Sequence, residues 1–272
     1  VADSALNATT VKSSTAARKD PASRALLLPM GVALVALLFW AALSRFEVFP
    51  STAFPSPLDV WRGFVEKVVR GAIFDDIVAS LFRVTMGFGL AVTLGIPIGL
   101  WLGLRLRVRL ALLPAVNFFR SLSPLAWIPF AILWFGIGDL PSIFLIFMTA
   151  FFPMVLATSA AVSSIPTVYF RVARNYEIQG SEFLTQVTLP AIAPQVITSL
   201  RVTAGLSWVV VVAAEMIAGR DGLGFLIWDA RNQLRPDLVV VGMVIIGVIG
   251  VVIDRLLVRL TQLPSVRWGY ER

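Results

Sequence analysis

Apolar residues run along this chain in six long blocks, at about 26–44, 77–104, 110–135, 141–163, 191–218 and 238–261, with shorter polar stretches between them. A hydrocarbon core of about 30 Å needs roughly 20 helical residues to cross. The pattern therefore predicts an all-α, polytopic membrane protein with about six spans. The first 24 residues are rich in Ser, Ala, Thr and charge and show no periodicity, so they read as a disordered tail. The apolar run after them, Leu26 to Leu43, is longer than the roughly 7–15 residues of a cleavable signal segment, and a retained first span is expected.

Two polar segments interrupt the spans with a rhythm of their own. After three prolines, Leu58, Trp61, Phe64, Val65 and Val68 follow at helical spacing beside Arg62, Glu66 and Lys67. That predicts an amphipathic helix lying at the membrane boundary. Between the fourth and fifth spans, Val172, Tyr176, Phe183, Leu184 and Val187 fit one side of two short helices. Glu177, Gln179 and Glu182 are left outward, and Gly180 permits a bend. Such a helix–bend–helix forms a compact knob suited to a groove in a soluble partner; an ordinary interfacial loop helix has the same pattern.

Composition narrows the chemistry. The chain is 58% hydrophobic and 14% charged, far from the roughly 25% charged residues of soluble domains. It has no Cys and no His, which removes disulfides, thiol nucleophiles and the commonest metal ligand and general base. No catalytic or metal site is expected. None of Lys12, Lys19 and Lys67 ends a Gly-rich phosphate loop, and carboxylates are scarce in the spans, which argues against ion coupling. The net charge of +7 fits basic cytoplasmic loops, not nucleic-acid binding. With the N-terminus inside, thirteen Lys and Arg fall on the cytoplasmic side (Lys12 to Arg24, Arg105 to Arg109, Arg171, Arg174, Arg255, Arg259, Arg267 and Arg272). Seven fall outside (Arg45, Arg62, Lys67, Arg70, Arg220, Arg231 and Arg235). Both termini are expected in the cytoplasm.

Gly95, Gly99 and Gly103 place a smooth stripe on the second span, either for packing within the subunit or for a seam between two copies. Arg83, Arg120 and Arg201 stand beside long apolar runs. An Arg there faces a cavity or partner, or snorkels to the interface. Arg120 is followed by Ser121, Ser123 and Pro124, so backbone groups are freed beside it. Glu215, near the outer end of the fifth span, is either the partner of such an Arg or a gate residue, and Arg120, Ser121, Ser123, Arg201 and Glu215 are the candidates for a solute path.

The segment from Ala173-Arg174-Asn-Tyr176 through Val187-Thr-Leu189-Pro190-Ala to Pro194 resembles the EAA loop of permease subunits of ABC importers of the binding-protein-dependent type. PSPLDVWRGF at 55–64, SLFRVTMGFGLAVTLGIPIGLWLG at 80–103 and RSLSPLAWIPFAILWFGIGDLPSIFLIFMTAFFP at 120–153 resemble the nitrate/sulfonate/taurine/bicarbonate branch of that family. So do SLRVTAGLSWVVVVAAEMIAG at 199–219 and GLGFLIWDARN at 222–232. Family loops often open with Glu-Ala-Ala and carry a Gly seven positions in. Here Arg171 stands at the Glu position and Glu177 at the Gly position, with Gly180 available as a hinge.

The resemblance implies a type I importer permease fold, also called MetI-like, over 25–262, with cytoplasmic tails at 1–24 and 263–272. It implies a loop at about 165–190 that docks on a separate ATP-hydrolysing subunit through Arg171, Ala173, Arg174, Tyr176, Glu177, Gly180, Ser181, Glu182, Leu189 and Pro190. The remaining partners it implies are a solute-binding protein, a second copy of the permease, the lipid of a bacterial inner membrane and a small anion of the nitrate, bicarbonate, taurine or alkanesulfonate class. ATP and Mg would be held by the ATPase subunits and no cofactor by this chain, which would not itself be an enzyme. Two rivals differ in kind. An autonomous channel or secondary carrier would need coupling carboxylates, and a membrane-embedded enzyme would need convergent acid, base or metal ligands.

Overall fold

The computed structural model describes residues 21–46, 50 and 53–261, with side chains within 30–259. The tails expected at 1–24 and 263–272 lie outside it, except that residues 21–24 open a helix. The chain forms two units, residues 1–51 and 52–272. The first holds α1 (Pro21–Arg45), on which the first expected span falls; its fully described part, Met30–Arg45, is a shorter apolar helix.

The second unit opens with α2 (Pro57–Val69). Ser56 caps it reciprocally with Asp59, and Pro57 stands at the first turn, where its missing N–H is not needed. A left-handed Gly71, φ 74°, turns the chain into α3 (Ala72–Leu104), which at 33 residues is roughly 50 Å long. Then follow α4 (Leu106–Ser121), a 3-10 turn (Pro124–Trp127), α5 (Ile128–Phe135), α6 (Asp139–Ser163), α7 (Thr167–Asn175), α8 (Gly180–Phe183), a π turn (Leu184–Thr188), α9 (Leu189–Ala218), α10 (Leu223–Asn232) and α11 (Pro236–Thr261). Among the described residues, α3, α6, α11 and the stretch ending in α9 are long and apolar enough to cross a membrane.

The span expected over 110–135 is not one continuous helix. It breaks between α4 and α5 with a bend of 84°, where Pro124 removes a backbone donor and pushes Ser123 into extended geometry. The packing of its neighbours decides whether the broken pair crosses. Gly87 lies against Ile146, Gly95 against Met154, Gly99 against Thr158 and Gly103 against Val162. Residue numbers rise together, so α3 and α6 run parallel. The chain between them must return to the end where α3 began, and the bent pair therefore spans the bundle's length instead of re-entering from one side.

α6 is the packing axis. Leu145, Ile146, Ala150, Met154, Val155 and Val162 are buried along it, and both α3 and α9 pack on it. The α3 glycine stripe is thus used within the subunit, where small residues allow the close backbone approach that drives helix association in lipid. At the end where α3 starts, Arg235 joins Glu66 of α2 (2.9 Å) to Asp237 of α11 (2.7 Å). Hydrogen bonding from Arg235 holds the Glu66 carboxyl below its usual range. The clamp is therefore intact at neutral pH and is lost only as acid protonates Glu66 below that range.

The seam predicts opposite outcomes for two glycines of one helix. A Cβ at Gly99 would stand 2.6 Å from Thr158 Cβ and 2.7 Å from the Val155 carbonyl, whereas Gly89 has nothing within 4 Å. Gly99→Ala is expected to destabilise by about 1–3 kcal/mol, and Gly89→Ala to be neutral or stabilising by up to about 1 kcal/mol. Thermal unfolding of the purified protein in detergent measures both; equal midpoints for the two variants would show that the seam is not closed as described.

Candidate functional site

The loop between α6 and α9 folds into a compact knob closed by two turns. α7 ends at Tyr176, and the chain reverses through Glu177 in the left-handed region, φ 56°. The Ile178 N–H donates to the Ala173 carbonyl (3.0 Å) and the Glu177 N–H to that of Arg174 (3.1 Å). This pair of bonds is a Schellman closure. Gly180, φ 60°, makes a second bend into α8. Phe170 and Phe183 pack across the knob with centroids 5.3 Å apart, and Leu184 anchors it against the cluster of Leu100, Ala161, Val162, Ile165, Ile192 and Val196. The Thr188 hydroxyl donates to the Phe183 carbonyl at 3.3 Å, and Leu189 and Pro190 begin α9.

The faces of the knob differ from the sequence expectation in one respect. Ala173 is buried, but Val172 and Tyr176 point outward, because the Schellman closure sets Ala173 and Ile178 as the inner positions. Val168, Val172 and Tyr176 then form an exposed apolar stripe at four-residue spacing, with Tyr176 74% exposed. Arg171, Arg174, Glu177, Ser181 and Glu182 are exposed around it, and Glu182 accepts a hydrogen bond from the Gln186 amide (2.9 Å).

The three doubtful arginines have three different fates. Arg120 is exposed in the last turn of α4, one residue before Ser121 and the break. Ser121 donates to the Asn117 carbonyl (2.8 Å), and Ser123 precedes the 3-10 turn without a side-chain cap. Arg201 grips Asp254 of α11 in a two-point fork of 2.6 and 3.0 Å, both side chains about half-exposed. Arg83 is 1% exposed and holds three carboxylates.

Arg83 donates to Glu215 (2.8 Å) and Asp139 (2.7 Å), and to both the side chain and the backbone carbonyl (2.9 Å) of Asp221. Glu215, fully buried on α9, also accepts from the Ser80 hydroxyl and the Gly224 N–H, each at 2.9 Å. The Leu223 N–H donates to Ser80 (2.9 Å) and the Gly222 N–H to Asp76 (3.0 Å). Glu215 is therefore a partner inside the protein, not a group facing a path. Sequence reasoning left Arg83, Asp76, Ser80, Asp139 and Asp221 off the candidate set. Of the two readings of Glu215, partner or gate, the first holds; the rule that a charge within a span needs a partner does not say which of the three arginines Glu215 meets, and the structure pairs it with Arg83. Asp254, the partner of Arg201, was missed in the same way. Among the described residues no group of His, Cys, Asp and Glu could hold a metal ion.

Residues 95–264 match the family described as binding-protein-dependent transport system inner membrane component. The chain is 34% identical to the bicarbonate transport system permease protein CmpB of Synechococcus elongatus, over 85% of this chain and 86% of that one. It is 32% identical to the taurine transport system permease protein TauC of Escherichia coli, over 86% and 87%. A solved structure of the MetNI methionine ABC transporter in inward-facing conformations superposes with a TM-score of 0.57, at 17% identity, over 70% of this chain and 96% of that one; this likeness is one of fold.

The buried cluster predicts strong coupling between two residues 132 positions apart. Arg83→Met leaves Glu215 without its counter-charge and is expected to destabilise by about 3–5 kcal/mol. Arg83→Met combined with Glu215→Met removes both charges and should recover much of that loss. A double-mutant cycle on unfolding in detergent measures the coupling; additive losses would show that the pair is not the unit described.

Proposed function

The chain belongs to the binding-protein-dependent transport system inner membrane component family, in the branch of the nitrate, bicarbonate, sulfonate and taurine permeases, and we propose that it forms the solute path of an ATP-driven importer of a small anion. The observation that carries this reading is the knob: an exposed Val168–Val172–Tyr176 stripe, flanked by Arg171 and Arg174, on a doubly closed turn at one end of the bundle. An exposed Tyr with neighbouring Arg has the residue types enriched in protein-binding hot spots. The knob's partner is the ATP-hydrolysing subunit, so this end faces the cytoplasm, and the excess of Lys and Arg in the sequence of the two tails assigns both termini to the same side. The opposite end, with the turns at 136–139 and 219–222, then faces the solute-binding protein.

The anion path runs along the broken span of two copies. Irregular backbone at membrane depth is tolerated only where protein or a water-filled cavity covers it, and the break at residues 122–123 is partly open on this subunit. Arg120 stands beside it, fourteen residues into α4, or roughly 21 Å along the helix. In a cavity there, a guanidinium attracts an anion and repels cations.

Two experiments test the reading. Tyr176→Ala should weaken association with the co-expressed ATPase subunit by about 2 kcal/mol, roughly 30-fold, while the permease stays folded in the membrane. Co-purification and uptake measure it; full association and uptake in Tyr176→Ala and Val172→Glu alike would refute the docking role. Arg120→Gln should abolish most uptake while the assembled complex keeps its basal ATPase activity. Arg120→Lys should recover part of it, as a point charge without the planar fork. Unchanged uptake in Arg120→Gln would remove this residue from the path.

A further inference from the structure

α2 has three faces, not two. Val60, Phe64 and Val68 turn inward and pack on the cluster containing Ile73, Val84, Trp208, Val241 and Ile245, and Gly63 lies against Asp237 and Leu238. Asp59, Arg62, Glu66 and Arg70 form a charged face, with ion pairs between Arg62 and Asp59 (3.9 Å) and between Arg70 and Glu66 (3.1 Å). Between these two faces runs a second apolar stripe, Leu58, Trp61, Val65 and Val69, at steps of three, four and four. It is uncovered: Trp61 is 62% exposed and Val69 80%.

We infer that this outer stripe lies in the headgroup–acyl boundary of the bilayer, so that α2 is held between protein on one side and lipid on the other. Continuity supports lipid as the occupant. Past the Gly71 turn, Phe74, Val78 and Phe82 carry an exposed apolar row along α3, a helix long and apolar enough to span a membrane. The stripe on α2 thus begins where a span's uncovered apolar surface begins. Position supports it as well. Glu66 is clamped by Arg235, and Gly63 is seated on the first turn of α11, so α2 is fixed at the level where two spans start. An indole ring placed there suits a boundary that is apolar on one side and wet on the other. The ion-paired face lies on the far side of the stripe from the packed one, where water can solvate it. This inference is independent of the transport reading.

The chain has no native Cys, so single nitroxide labels can be introduced at residues 58 to 70 of the full-length protein in vesicles of phosphatidylethanolamine and phosphatidylglycerol. Relaxation by oxygen, which concentrates in lipid, is compared with relaxation by a water-soluble nickel chelate. Labels at Leu58, Trp61, Val65 and Val69 should respond mainly to oxygen. Labels at Asp59, Arg62 and Arg70 should respond mainly to nickel, and those at Val60, Phe64 and Val68 weakly to both. The outer-stripe side chains are 41–80% exposed, with Trp61 meeting Phe64 at a ring-centroid distance of 5.7 Å, so a label there disturbs little packing; circular dichroism checks that the fold is intact. Nickel-dominated relaxation at Trp61, Val65 and Val69 would place the stripe in water. Protection there from both reagents would mean that another protein surface covers it. Either result overturns the inference.

Discussion

The contact between Arg83 and Glu215 governs one whole end of the bundle. An arginine 1% exposed on a membrane helix is tolerable only with its charge neutralised and its N–H groups bonded. Meeting that demand draws in segments far apart in sequence. Asp139 opens α6, Asp221 sits in the turn after α9, and Ser80 and Gly224 complete the shell of Glu215. The turn's glycines follow from the same demand. A Cβ on Gly222, φ 102°, would stand 2.6 Å from the Glu215 carboxyl, and one on Gly224 would stand 2.8 Å from Glu215 Cβ and press on the Val212 carbonyl. The short Gly-rich stretch from 219 to 224 is therefore shaped by a buried ion pair as much as by chain reversal.

The other end is built on different terms. There the chain turns back on itself through local bonds, Ile178 N–H to the Ala173 carbonyl and the Thr188 hydroxyl to the Phe183 carbonyl, and it turns outward an apolar stripe rimmed by charged side chains. One end is thus consumed by internal charge pairing, while the other is left with a surface to offer. α9 joins the two: it begins at the π turn that closes the knob and carries Glu215 near its last turn. Displacing the knob therefore moves a helix whose far end is pinned by Arg83.

What the sequence could reveal followed the range of the interaction. The four long apolar spans, α2 and the bend at Gly180 are products of hydropathy and local backbone chemistry and were legible; the second bend, at Glu177, and the full break in the span expected over 110–135 were not. Nor were the pairings. Arg83 and Glu215 lie 132 positions apart and Arg201 and Asp254 lie 53 apart, and hydropathy carries no information about which helix meets which. The same limit explains Val172 and Tyr176. Helical periodicity grouped them with Phe183 and Leu184, but the turn at Glu177 re-aims one helix relative to the other and puts them outside. The glycine stripe had two readings until its partner helix was known, and the contacts with Met154, Thr158 and Val162 decide in favour of packing within the subunit.

Glu177 keeps the left-handed geometry, φ 56°, at a penalty of about 1–2 kcal/mol for a residue with a Cβ. Leu234, φ 55°, does the same at the end of α10, where Arg235 closes on the Ala230 carbonyl at 2.9 Å. In each case contacts outside the residue hold the turn. At Leu234 they are the ion pairs of Arg235 with Glu66 and Asp237; at Glu177 they are the burial of Ala173 and the Phe170–Phe183 packing. A turn held by its flanks does not need Gly, and a side chain with a charge can occupy the position. In the knob that position borders the exposed stripe. Glu177 there adds a carboxylate to the rim of the proposed contact surface, with local strain that the packing beneath it absorbs.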